Sequence, residues 1–116
     1  MAASGLSRGQ VVLLPFPFSD LSASKLRPAV VLADAGRADW LLCQITSQPY
    51  ADARAETLLD SDFAEGGLRL PSYARPAKLF TANASLVRSV AGQLTAQAHE
   101  RVCEALVQLL RNGDAG

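Results

Sequence analysis

Apolar residues in this chain arrive in short runs punctuated by prolines, glycines and acids, and only near the C-terminus do they settle into a helical spacing. Gln10 to Leu14 is a β-branched run that predicts a strand, and Pro15, Pro17, Ser19, Asp20 and Ser22 make the next stretch a long, proline-stiffened loop. Pro28 to Ala33 (PAVVLA) and Trp40 to Thr46 (WLLCQIT) read as two buried strands of a central hairpin, joined by a turn from Asp34 to Asp39 that contains Gly36. Glu56 to Leu59 predicts a fourth strand, and Asp62 to Gly67 (DFAEGG) one helical turn ended by glycine. Further short strands are expected at Tyr73, at Lys78 to Thr81 and at Leu86 to Val90, with Asn83 in a turn between the last two. Thr95 can then cap a helix in which Ala98, Val102, Ala105, Leu106 and Leu109 recur at helical spacing, ended by Arg111 and the Asn112-Gly113 pair. Many short strands before one terminal helix predict a mainly β fold, a small barrel with the helix packed beside it.

Composition narrows this without changing it. The 116 residues, 49% hydrophobic and 19% charged, are expected to form one domain over residues 1–116, with a core from about 9 to 111. No apolar run reaches the roughly 18 residues of a membrane span, and Met1 to Gly9 lacks a secretory stretch, so the expectation is a cytoplasmic protein without membrane contact. Cys43 and Cys103 have no paired spacing and read as reduced core residues. The formal net charge is zero, but its distribution is uneven. Five acids and only Arg54 lie between Asp52 and Glu65, whereas Gly66 to His99 holds Arg69, Arg75, Lys78 and Arg88 and no acid. One reading is a basic face, the other a scatter of charges over a solvated surface.

The absences exclude most enzyme classes: there is no glycine-rich phosphate loop, no metal-spaced ligand cluster and no nucleophilic serine elbow. The only histidine, His99, has Cys103 as its i+4 neighbour, and a surface histidine beside a core cysteine explains that pair more simply than a metal site. A single histidine also excludes a two-histidine acid-base pair within one protomer. RNA can still be cut without metal if its own 2′-hydroxyl attacks the neighbouring phosphorus, given a base and fixed donors around the charged oxygens. Arginine supplies such donors in a planar fork that stays charged. Arg27, just before PAVVLA, and Thr46, at the end of WLLCQIT, would meet at one rim if those strands are antiparallel neighbours. The plainer alternatives are a surface arginine and a strand-end hydroxyl tied to backbone.

Read together, GQVVLLPFPFSDLSASKLRPAVVLA, CQITSQ and DFAEGGLRLPSYARPAKLFTANASLV, in that order and at these separations, resemble the MazF/PemK toxin family. The resemblance runs from about Gly9 to Gly92 and is strongest in LRPAVVL and QITSQ. It implies an SH3-like small β-barrel, a homodimer, and an mRNA interferase that cleaves single-stranded RNA to a 2′,3′-cyclic phosphate and a 5′-hydroxyl, with no metal or other cofactor. It also implies a cognate antitoxin whose extended C-terminal peptide fills the same groove. The family's catalytic arginine falls on Arg27 and its catalytic threonine on Thr46, with Ser47 and Gln48 beside it as RNA contacts. Phe16 to Lys25 would be the loop lining the RNA groove, which makes Phe18 and Lys25 further contacts, with Arg75 and Lys78 adding charge from the second half of the chain. Some family members carry a glutamate in that loop, whereas Asp20 is its only acid here, so Asp20 is the candidate general base or else a local turn cap. A different class also fits the fold: a non-catalytic binding protein like the gyrase-poisoning toxins, or an inactive structural dimer. The presence of both Arg27 and Thr46 argues against the former.

Overall fold

The computed structural model describes residues 5–15, 25–49 and 53–114. Its elements are β1 (Gln10–Pro15), β2 (Leu26–Gly36), β3 (Asp39–Thr46), β4 (Glu56–Leu58), a 3-10 turn (Asp60–Asp62), β5 (Phe63–Gly66), β6 (Ser72–Asn83), a second 3-10 turn (Ala84–Leu86), β7 (Ser89–Leu94) and α1 (Ala96–Asn112). The strands form one sheet in the order β4-β6-β3-β2-β1-β7-β5, and every neighbouring pair is antiparallel. The sheet curls into a half-barrel, the mainly β architecture with a C-terminal helix that the apolar pattern predicts.

Alternation along the central strands gives the sheet two apolar faces. On one, Val12 and Leu14, Ala29 and Val31, Trp40 and Leu42, and Phe80 and Ala82 pack together. On the other, Val11, Val30, Cys43, Ile45 and Ala74 are covered by α1 through Ala98 and Val102. Full burial of a Val or Leu side chain contributes about 1.5–3 kcal/mol, so these two layers hold the strands in register. The helix starts where Thr95 Oγ1 accepts from the Ala98 amide at 3.1 Å, and it stops at Gly113, whose φ of 79° only glycine adopts without strain. Arg101 then ties α1 to the sheet edge: its Nε lies 3.3 Å from Glu56 Oε1 and its Nη2 3.2 Å from Asp62 Oδ1.

Several elements differ from the sequence-based expectation. Asp62 to Gly67 is not a helical turn: the 3-10 turn lies earlier, and Phe63–Gly66 forms an edge strand on β7. Gly66 and Gly92 permit that pairing, since a Cβ on Gly92 would stand 2.5 Å from the Glu65 carbonyl oxygen. The expected strands at Tyr73 and at Lys78 to Thr81 are one strand, β6, interrupted by a bulge. Between the Cys43–Leu79 and Ile45–Ala74 pairs, β3 advances by two residues and β6 by five. The buried Pro76 lies in that bulge, where its missing amide proton is not needed by the ladder. The Cys43 thiol donates to the Arg75 carbonyl there at 3.0 Å. The last strand begins at Ser89 rather than Leu86, because Asn83 accepts from the Ser85 amide and starts a 3-10 turn first. His99, expected at the surface, is 9% exposed, while Cys103, expected in the core, is only partly buried.

Candidate active site

One face of the sheet changes from apolar to polar at a rim. Along β2 the buried Val31 and Ala29 give way, two residues on, to the exposed Arg27, and along β3 the buried Leu42 gives way to Gln44 and Thr46. Ala29 pairs with Gln44, so continuing the antiparallel register by two residues sets Arg27 opposite Thr46 on the same face. On its other side Arg27 is paired with Leu14 of β1, which is fully buried, so the arginine stands on a rigid base.

Arg27 and Thr46 both line a groove of about 360 Å³. Lys25, Ser47 and Gln48 share it, as do Arg69 and Ser72 from the segment before and at the start of β6. Its described lining thus carries three cations, Lys25, Arg27 and Arg69, all exposed, and no acid. Thr46 Oγ1 accepts from the Gln48 amide at 3.1 Å. That bond ties the hydroxyl to backbone, yet it occupies only a lone pair and leaves the hydroxyl proton to donate elsewhere.

The other expected site residues divide. Arg75 and Lys78 do not line this groove; both are half-buried in the β6 bulge, where the strand leaves the ladder. Phe18 and Asp20 lie outside the described residues. The sequence does not single out Arg69 for the groove, although this residue heads the acid-free basic run. Of that run's four bases only Arg69 lines the groove. Among the described residues no three His, Cys, Asp or Glu side chains gather where a metal ion would be held, and no helix is long and apolar enough to cross a membrane.

A family described as the PemK-like, MazF-like toxin of type II toxin-antitoxin systems matches residues 7–110. The chain belongs to this toxin family. Solved structures of MazF toxins share its fold. The MazE-MazF complex (Form-III) from Deinococcus radiodurans superposes with a TM-score of 0.71 at 20% identity, covering 91% of this chain and 96% of that one. An endoribonuclease from a mycobacterial species, in complex with its cognate antitoxin, gives 0.68 at 18% identity over 91% and 93% of the two chains. The Mycobacterium tuberculosis toxin MazF-mt6 gives 0.68 at 17% identity over 88% and 96%. No curated protein matches the sequence.

Proposed function

We propose that this toxin is an endoribonuclease that cuts single-stranded RNA, mRNA included, without a metal ion. The substrate's own 2′-hydroxyl attacks the adjacent phosphorus and the bond to the 5′-oxygen breaks, leaving a 2′,3′-cyclic phosphate and a 5′-hydroxyl. The observation that carries this reading is the pair of Arg27 and Thr46 on one rim, in a groove whose described lining is cationic. The Arg27 fork suits two phosphate oxygens at once and stays charged as negative charge builds on the phosphorane, while the Thr46 hydroxyl adds a donor. Arginine does not release its proton near neutral pH, so its share is charge stabilisation. None of the described lining residues has a carboxylate or imidazole to accept the 2′-hydroxyl proton. Asp20, five residues before Lys25 and the sole acid between Phe16 and Lys25, is the proposed base.

The toxin works as a homodimer, in this reading, and a cognate antitoxin silences it by laying an extended peptide in the same groove. Support for the antitoxin comes from the fold relatives solved in complex with theirs.

The test is incubation of the purified protein with long single-stranded RNA in excess chelator, with chemical identification of the new ends. Wild type is expected to give cyclic-phosphate and 5′-hydroxyl ends, and Arg27→Ala to lose at least about 100-fold in rate, the scale of removing one preorganised donor to a developing oxyanion, with its melting temperature nearly unchanged. Absence of cleavage by folded wild type would replace this reading with a binding protein on the same fold.

A further inference from the structure

The groove does not end at Arg69. Leu68, Arg69 and Leu70 also form a wall of a second cavity, of about 370 Å³, that lies between the 3-10 turn after β4 and the segment leading into β6. The two cavities therefore share a ridge. Leu58, Phe63 and Leu68 give the second one apolar walls, and Asp60 and Ser61 give it a polar edge. Those two polar groups have different standing from their neighbour Asp62. Asp62 is engaged by Arg101 and by the Leu59 amide at 2.8 Å, whereas the Asp60 carboxylate has no hydrogen-bond or ion-pair partner among the described residues.

From this juxtaposition we infer that the second cavity is a nucleobase subsite, which takes the base of a nucleotide next to the scissile bond and selects one bearing an exocyclic amine. The inference rests on the ribonuclease reading above. A base has flat faces that suit apolar walls and a polar edge that needs hydrogen-bond partners, and single-stranded RNA is read by proteins through such splayed-out bases. An ionised carboxylate only accepts hydrogen bonds, so Asp60 favours cytosine, adenine or guanine, which present an amine, over uracil, which presents carbonyl oxygens on both sides of one ring N–H. Arg69 is exposed on the shared ridge, where the backbone passing from the Arg27–Thr46 rim into the cavity must cross. It meets a phosphate there and contributes affinity that does not depend on sequence. Charge runs the same way: cations line the groove where phosphates lie, and the carboxylate lines the adjoining cavity where a base amine ends.

Two readouts test the subsite. First, cut sites are mapped on a mixed-sequence single-stranded RNA for wild type, Asp60→Asn and Arg69→Ala. Wild type is expected to disfavour uracil by about tenfold or more at one position beside the cut, the size of one lost base-edge pairing. Asp60→Asn, whose amide both donates and accepts, should relax that position alone, and Arg69→Ala should weaken cutting at all sites alike. Second, binding is measured with 2′-O-methyl RNA oligonucleotides that cannot be cut and that differ in one base. The same preference should appear in wild-type affinity and vanish in Asp60→Asn. Cleavage by wild type with an unchanged site profile in Asp60→Asn overturns the subsite and leaves the ribonuclease reading intact. Binding with the expected base preference but no cleavage supports the subsite while the proposed chemistry falls. An unchanged profile together with weakened self-association in Asp60→Asn overturns the subsite and gives the cavity to a protein contact.

Discussion

His99 shows how a single residue's surroundings set its chemistry. Its ring lies against Gly9, within 3.9 Å of Cys103 Sγ, where burial and then the nearby Arg8 charge push its pKa below the ordinary 6.5, against smaller opposing effects from the Val31 backbone and Glu100. The folded protein therefore keeps this histidine neutral at pH values where the unfolded chain already protonates it. The stability it contributes is present above the unfolded value near 6.5 and is lost as pH falls through the lowered folded value. Urea unfolding at pH 7.5 and 5.5 should accordingly give a lower stability at 5.5, and His99→Gln should shrink that difference; an equal drop in both proteins would remove His99 as its cause. From sequence this residue reads as a surface histidine because it lies one position off the Ala98–Val102–Leu106 stripe. What buries it is the close approach of the β1 entry at Gly9, a contact between distant segments. Arg27 and Thr46 are more legible: each stands at one end of a buried apolar run, and the alternation of side-chain direction along a strand carries to its last residue. Arg69 is not, since nothing in a run of four bases says which one the fold turns toward β2 and β3.

At the scale of elements, regular strands arise from short apolar runs, while the irregular joints depend on what they pack against. The β2–β3 hairpin turns on Arg37 and Ala38, both left-handed, with φ of 56° and 65°. A two-residue turn of this kind suits Asn-Gly, and each ordinary residue held there costs on the order of 1 kcal/mol. The turn is held from outside: Ala84 donates its amide to the Ala38 carbonyl at 2.7 Å, and Asn83 Nδ2 donates to Asp39 Oδ1 at 3.0 Å. Replacing Arg37-Ala38 by Asn-Gly should relieve the strain and raise stability by about 1 kcal/mol, a few degrees in melting temperature. A thermal melt that moves the other way would mean that Arg37 or Ala38 makes a side-chain contact worth more than the strain. The sequence marks this turn only through Gly36, since no Asn-Gly pair announces its type. The β6 bulge is hidden for a related reason. Pro76 breaks the strand pattern, and only the Leu79 and Ala74 pairings with β3 show that one strand continues across it.

For the whole molecule, a net charge of zero and a groove for RNA are compatible because affinity for a polyanion depends on the cations in contact, not on the sum over the surface. The three groove cations, Lys25, Arg27 and Arg69, would release counterions from three phosphates, which for single-stranded nucleic acid gives a slope of about −2 in a plot of log affinity against log salt. If the proposed dimer sets two such grooves against one RNA strand, twice as many phosphates are neutralised and the slope steepens to about −4. Binding of a 2′-O-methyl RNA oligonucleotide across a salt series therefore measures how many copies of the groove engage one strand. Arg69→Ala sharpens the reading, because it should flatten the slope by about 0.7 for one groove and by about 1.4 for two. A wild-type slope near zero would mean that phosphate contacts do not drive binding, and with it the assignment of the Arg27–Thr46 rim to RNA would fall.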